Sequence, residues 1–245
     1  MDWQQDYEQK QLSLDELFEK YLTGGTKEHK QKIYMGGLHV PTTIVNELLS
    51  RTKQGTLYGI DLYGNYMNGD ISFADLDVTP NQFRYHTYFA GPVERTGFAN
   101  GSRCVTHIPV HFSDTNRMLE EIGLDYAVVQ MTPPNDQGYC NIGPLGFEQG
   151  ALRGAKHIIA AINTRLPRVF GDSHNYHVSD IDAFFVHDEM LEDVTTPTPT
   201  PEEIKVAELI VDRVQDGDCI QLGIGGIINA IAAGLDCKKH LGVFT

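Results

Sequence analysis

The order of apolar and polar residues cuts the chain into short runs of two kinds. Tyr126–Met131 (YAVVQM) and residues 157–163 (HIIAAIN) are nearly continuous apolar runs, as strands buried on both faces of a parallel sheet tend to be. Residues 32–35, 57–62, 183–186, 219–222 and 241–245 read as further strands. Between them lie helical stretches. Ser13 with Glu16 three residues on forms a capping-box pattern before LDELFEKYL, and Gly24 and Gly25 offer that helix an end. Pro41 opens a second helix over 42–50, and 147–156 predicts a third. Residues 64–101 are rich in Gly, Asn and aromatics without a clean period, and read as loops and short strands. Strands alternating with helices predict an α/β fold, an open parallel or mixed sheet with helices on both faces.

Residues 194–200 (VTTPTPT) alternate Thr with Pro and read as an extended spacer. They divide a domain over 1–193 from the beginning of a second, similar domain over 201–245. Thr200 caps the next helix, Pro201 takes its first position and Glu203 completes a capping box. Ile204, Ala207, Val211 and Val214 share one face of that helix. IYMGGLHVPTTIVNELL and IQLGIGGIINAIAAGL both run strand, double glycine, helix, an echo consistent with two related halves.

At 245 residues with 41% apolar composition, the chain is long enough for real cores. A net charge of −14 counts against a nucleic-acid partner, which needs a basic face. No apolar run reaches membrane-spanning length, and MDWQQDYEQKQ is neither a secretory signal nor a basic transit peptide, so a cytoplasmic protein is expected. Cys104, Cys140, Cys219 and Cys237 are too scattered for a zinc knuckle or redox pair.

The strongest candidate chemistry lies in DGDCIQLGIGGIINAIAAGL. A strand runs into Gly223, Ile224, Gly225, Gly226 and Ile227 and then into a short apolar helix. Glycines leave main-chain N–H groups uncovered, and a helix start adds unpaired amides and a positive dipole end. Such a turn can hold an anion, or an oxygen that becomes one during reaction. It can equally be a tight turn without a ligand. A nucleotide P-loop fails, since no Gly-Lys-Ser/Thr follows, and a dinucleotide fingerprint fails at Ile228, where its third glycine belongs. No metal site is expected, because Pro109 between His107 and His111 disfavours a helix that would put both on one face. TPPNDQGYCNIGP reads either as a turn guarding a buried strand or as a pocket loop with Gly138 and Tyr139 near a ligand.

GDCIQLGIGGIINAIAAGLDCKKHLGV resembles the signature of the acetyl-CoA hydrolase/transferase family, also described as family I CoA-transferases of the 4-hydroxybutyrate and butyryl-CoA:acetate type. QMTPPNDQGYCNIGP, KHIIAAIN followed by LPRVFGDSHNYHVSDID, and the opening DYEQKQLSLDE are similar to family segments in the same order. The resemblance implies two open α/β domains with coenzyme A or an acyl-CoA lying on Gly223, Ile224, Gly225, Gly226 and Ile227. It implies no metal, short-chain carboxylates as the other partners, and allows a homo-oligomer. No catalytic residue is assigned within the chain, since the family's nucleophilic glutamate is expected immediately after Thr245. Ile228 stands where the family usually has proline and Phe244 where it has histidine; with that stop, a truncated form is expected, inactive alone. The activity implied for the complete enzyme is CoA transfer through a glutamyl-CoA thioester. Acyl-CoA hydrolysis and a non-catalytic, CoA-binding or subunit-pairing fragment are the alternatives.

Overall fold

A computed structural model describes residues 2–37, 39–65, 67, 70–73, 77–144, 148–191 and 198–244. The chain divides into two units, Met1–Glu192 and Asp193–Thr245. In the first, α1 (Trp3–Gln9) and α2 (Leu14–Lys20) precede β1 (Gln31–Tyr34), α3 (Thr42–Gln54), β2 (Ile60–Gly64) and β3 (Phe83–Thr87). Next come α4 (Pro92–Ala99), β4 (Val105–His107), α5 (Thr115–Glu121), β5 (Tyr126–Met131) and β6 (Tyr139–Asn141). The unit finishes with α6 (Glu148–Gly154), β7 (His157–Ile162), β8 (Asn175–His177) and β9 (Ala183–Val186). The second unit holds α7 (Pro201–Val211), β10 (Cys219–Gln221), α8 (Gly226–Gly234) and β11 (Gly242–Phe244).

Seven strands form one sheet in the order β4-β3-β2-β1-β5-β7-β9, every pairing parallel. The apolar runs follow from burial on two sides. Ile33, Val128 and Ile159 face one core with Leu17 of α2 and Ile44 and Leu48 of α3. Their neighbours Tyr34, Val129 and Ala160 face another, with Leu119 of α5 and Leu152 of α6. Strand order reverses between β1 and β5, and ligands of open parallel sheets bind beyond the carboxyl ends of the strands at such a reversal.

Several expectations shift. The stretch over 64–101 holds a short strand, β3, as read, but also a helix that was not expected, α4, with Pro92 in its first turn and Glu94 accepting from the Gly91 N–H at 3.0 Å. The helix after Ser13 has its capping box but ends at Lys20, short of Gly24 and Gly25. The helix after Pro41 runs on to Gln54, where Gly55 in the left-handed conformation ends it. Phe147, expected at the start of α6, residues 194–197 of the expected spacer and Thr245 lie outside the described residues.

In the second unit α7 starts as its residues require, with Thr200, Pro201 and Glu203 in a full capping box. Ala207 of α7 packs with Ile231 of α8 and Leu235, joined by the partly buried Val211 and Val214. Ile204, the fourth member of the expected stripe, is instead exposed, since the two-stranded β10–β11 pair and α8 bury only part of that face.

Candidate functional site

The carboxyl ends of the first unit's strands carry an unusual amount of buried polarity. β1 leaves the sheet through Gly36 and Gly37. A Cβ on Gly36 would come within 2.7 Å of the Gly64 Cα, so the exits of β1 and β2 touch through bare backbone. Around this crossing four buried polar atoms have no hydrogen-bond partner among the described residues: Tyr34 Oη, His39 Nε2, Asn65 Oδ1 and Tyr88 Oη. Unpartnered buried polar atoms are costly, and their gathering at the strand ends marks a place built to meet something polar. Burial, reinforced by the Glu148 carboxylate, holds the Tyr34 phenol well above its ordinary value, so it is a neutral donor. Burial also lowers His39, against a hydrogen bond to the Pro144 backbone that acts the other way.

Beside them, the start of α3 is already filled. The Glu189 carboxylate accepts from the Thr42 N–H at 3.0 Å and the Thr43 N–H at 2.7 Å, and from Gln130 Nε2 at 2.9 Å. Asn163 Nδ2 donates to Gln130 Oε1 and to the Glu189 carbonyl, each at 3.0 Å. Pro41 has no side chain able to cap, and a glutamate from the loop after β9 takes that role. An external anion therefore finds no vacancy at α3.

The loops after β5 and β7 enclose a cleft of about 630 Å³ at the same end of the sheet. TPPNDQGYCNIGP contributes Asn135, Gln137 and Tyr139, and the PRVFGDSHN segment contributes residues 168–172 and Asn175. Tyr139 thus lines a cavity, as the pocket reading of that loop requires. Gly138 has a packing reason instead: at φ 82° it lies against Trp3 and His177, within 2.8 Å of where a Cβ would stand.

In the second unit the residues singled out from the sequence stand together. β10 leads into Gly223, Ile224, Gly225, Gly226 and Ile227, the last two opening α8. Gly225, at φ 142° and ψ 170°, occupies a conformation essentially reserved for glycine. Among the described residues no side chain caps α8, in contrast to α2, α3 and α7. Gly223 and Gly225 have open space where a Cβ would point, whereas a Cβ on Gly226 would overlap the Glu203 carboxylate of α7. Gly226 is small because two helices meet there; Gly223 has no such internal reason.

Sequence reasoning missed Glu189, Arg168 and the Tyr34–His39–Asn65–Tyr88 group. Their importance comes from strand order and partnerless burial, and neither is written in local periodicity. Among the described residues, no group of three or more His, Cys, Asp or Glu could hold a metal ion, and no helix is long and apolar enough to cross a membrane.

Comparison with known proteins adds the remaining findings. Residues 1–196 match the profile described as Acetyl-CoA hydrolase/transferase N-terminal domain. The chain is 29% identical over 227 residues to the succinyl-CoA:acetate/propanoyl-CoA:succinate CoA transferase of Fasciola hepatica, covering 91% of this chain and 46% of that protein. It is 26% identical over 246 residues to the 4-hydroxybutyrate coenzyme A transferase of Clostridium kluyveri, covering 99% and 55%. The crystal structure of RipA from Yersinia pestis superimposes with a TM-score of 0.85 at 25% identity, over 99% of this chain and 57% of RipA. The chain spans about half the length of the curated relatives it matches.

Proposed function

The chain belongs to the acetyl-CoA hydrolase/transferase family, and from that premise we propose that it serves an acyl-CoA:carboxylate CoA-transferase acting on short-chain acids of the acetate, butyrate and 4-hydroxybutyrate class. The transferase names of its relatives support the reaction type. The observation that carries the role of these residues is the uncapped, open turn from Gly223 to Ile227 at the head of α8. The first amides of a helix have no intrahelical partner, and here no side chain of the described residues takes them. A thioester carbonyl lying on this turn meets preorganised N–H donors and the positive end of the helix dipole.

In this reading the attacking group is a glutamate carboxylate, which the family resemblance puts directly after Thr245. It attacks the thioester carbonyl, expels the CoA thiolate and leaves a mixed anhydride. The thiolate attacks the glutamyl carbonyl of that anhydride, releasing the first carboxylate and leaving a glutamyl-CoA thioester. An acceptor carboxylate then runs both steps in reverse. Each addition puts negative charge on a carbonyl oxygen, and one well-placed donor there lowers the barrier by about 3 kcal/mol. Residues 1–245 by themselves bind acyl-CoA and turn none over.

The test is photolabelling of the 245-residue chain with an acyl-CoA bearing a diazirine on its acyl group. Label on the tryptic peptide 214–238, which holds the glycine turn, is expected. Label confined to other peptides would contradict the proposal.

A further inference from the structure

The amino ends of the first unit's strands, at the far end of the sheet from the polar group around Tyr34, hold a recess of about 800 Å³. Its walls come from the turn before β1 and from the starts of β1, β2, β5 and β7. In a chain of net charge −14, residues 27–32 (KEHKQK) carry three lysines and a histidine against one glutamate. The sheet order brings Lys156 and His157 to the same recess, so four ammonium groups and two imidazoles share it. The turn that carries Lys27 and His29 is fixed in place. The Thr26 N–H donates to the His29 carbonyl at 2.9 Å and the His29 N–H to Thr26 Oγ1 at 3.0 Å. The Gly25 and Gln31 N–H groups donate to the Tyr58 and Gly59 carbonyls, each at 2.8 Å.

Three carboxylates belong to the same lining, and two of them are engaged by internal donors. Asp125 accepts the Lys32 N–H on Oδ2 at 2.9 Å and Lys156 Nζ on Oδ1 at 2.7 Å. Asp61 Oδ1 accepts Lys30 Nζ at 3.0 Å. The third, Glu28, is exposed. Lys32 Nζ donates to the Ile122 carbonyl at 3.0 Å, which uses one of its three protons and holds the ammonium in place with the others to give. Among the described residues no carboxylate contacts the ammonium of Lys32 or of Lys27.

We propose that this recess binds a small polyanion, a compact molecule carrying two or more negative charges on phosphate or carboxylate groups. Like charges gathered in one concavity focus their field on whatever enters it, and a polyanion relieves their mutual repulsion. No arginine is among the lining residues, so recognition rests on ammonium point charges and follows the number of charges on the ligand more than the placement of its oxygens. The recess lies away from the carboxyl ends of the strands, where such sheets hold their substrates, so its occupant is a ligand additional to the acyl-CoA. A ligand that binds only the folded form raises stability, which makes the melting temperature a readout that needs no turnover.

Calorimetry and thermal melts of the 245-residue chain at low salt, with pyrophosphate, citrate, inorganic phosphate and acetate as probes, test the site. Pyrophosphate and citrate are expected to saturate it with dissociation constants on the order of 1 mM and to raise the melting temperature. Phosphate binds more weakly, and acetate has no effect. Salt at about 0.5 M shortens the screening length and weakens pyrophosphate roughly tenfold. Lys27→Ala, at an exposed position, keeps the anion-free melting temperature and weakens pyrophosphate about tenfold, while Lys27→Arg retains the binding. Lys32→Met weakens it as much, and Gly223→Val leaves it unchanged, which separates this site from the amides of the glycine turn. Pyrophosphate binding more tightly than citrate identifies a phosphate-bearing occupant, and the reverse order a polycarboxylate. The proposal is overturned by the absence of saturable polyanion binding, by acetate binding as tightly as pyrophosphate, by loss of the binding in Gly223→Val, or by Lys27→Ala and Lys32→Met both leaving the affinity unchanged.

Discussion

Glu189 shows how one side chain substitutes for a missing local signal. Pro41 leaves the first amides of α3 without a cap, and a carboxylate 147 residues away in sequence receives Thr42 instead. Glu189→Ala removes a charged cap and one of the two acceptors of Gln130 Nε2, which keeps its bond to the Val40 carbonyl at 2.8 Å. An N-cap loss of about 1–2 kcal/mol is expected, and equilibrium unfolding in urea measures it. Gln130 and Asn163 stay paired with each other in that variant, so the effect stays well below that of emptying the whole network. A neighbouring pair shows charge acting with burial. Burial raises the Asp61 carboxyl, but hydrogen bonds from His86 and Lys30 and their charges outweigh it and leave Asp61 below its ordinary 3.8. His39 lies below its ordinary 6.5 through burial. Both groups bind protons less readily folded than unfolded, so stability is full above each ordinary value and falls as pH drops through the folded one. Urea midpoints should begin to decline below pH 6.5 and fall further below 3.8. His39→Asn flattens the first decline and Asp61→Asn the second.

Helix contacts depend on glycine at particular places. A Cβ on Gly150 of α6 would overlap the Asn116 carbonyl of α5, and one on Gly154, a turn later, the Glu120 carbonyl. The two helices that cover one face of the sheet therefore meet backbone to backbone. Gly154→Ala should cost about 1–3 kcal/mol through overpacking, read as a drop in melting temperature without loss of helicity. In the second unit Gly226→Ala displaces the flexible Glu203 carboxylate, which accepts the Thr200 N–H at 2.8 Å. Glu203→Ala already removes that contact, so the double variant should be less destabilised than the sum by roughly 0.5 kcal/mol or more. Elements with a strong local signature were legible in the sequence. The capping boxes at Ser13 and Thr200 and the two-sided apolar runs of β5 and β7 are each specified by residues within one element. α4 was not, because Pro92–Ala99 is a short run with Pro and Gly and without a clean apolar period. Glu94 is fully buried there, held by the Met67 N–H, the Tyr85 hydroxyl and the Gly91 N–H, an environment no window of sequence displays.

Across the whole molecule the candidate site was legible only in part. The glycine turn announced itself through residue type: Gly225 is required by backbone conformation and Gly226 by close approach to Glu203, while no described contact requires glycine at Gly223. The polar group at the ends of β1, β2 and β3 stayed hidden, because only the strand order, with its reversal between β1 and β5, brings Tyr34, Asn65 and Tyr88 to one end. The glycine turn also provides the sharpest test of the account. Gly225 is confounded by backbone strain and Gly226 by Glu203, but Gly223 has neither a positive φ nor a neighbour within 4 Å of its missing Cβ. Gly223→Val should leave the melting temperature of the protein unchanged, because among the described residues nothing lies within 4 Å of the added Cβ. Titration with butyryl-CoA should then show the variant binding about tenfold more weakly or worse, the loss expected when a side chain covers amides that a ligand must reach. A variant that folds as well as the parent and binds butyryl-CoA equally tightly would contradict the account.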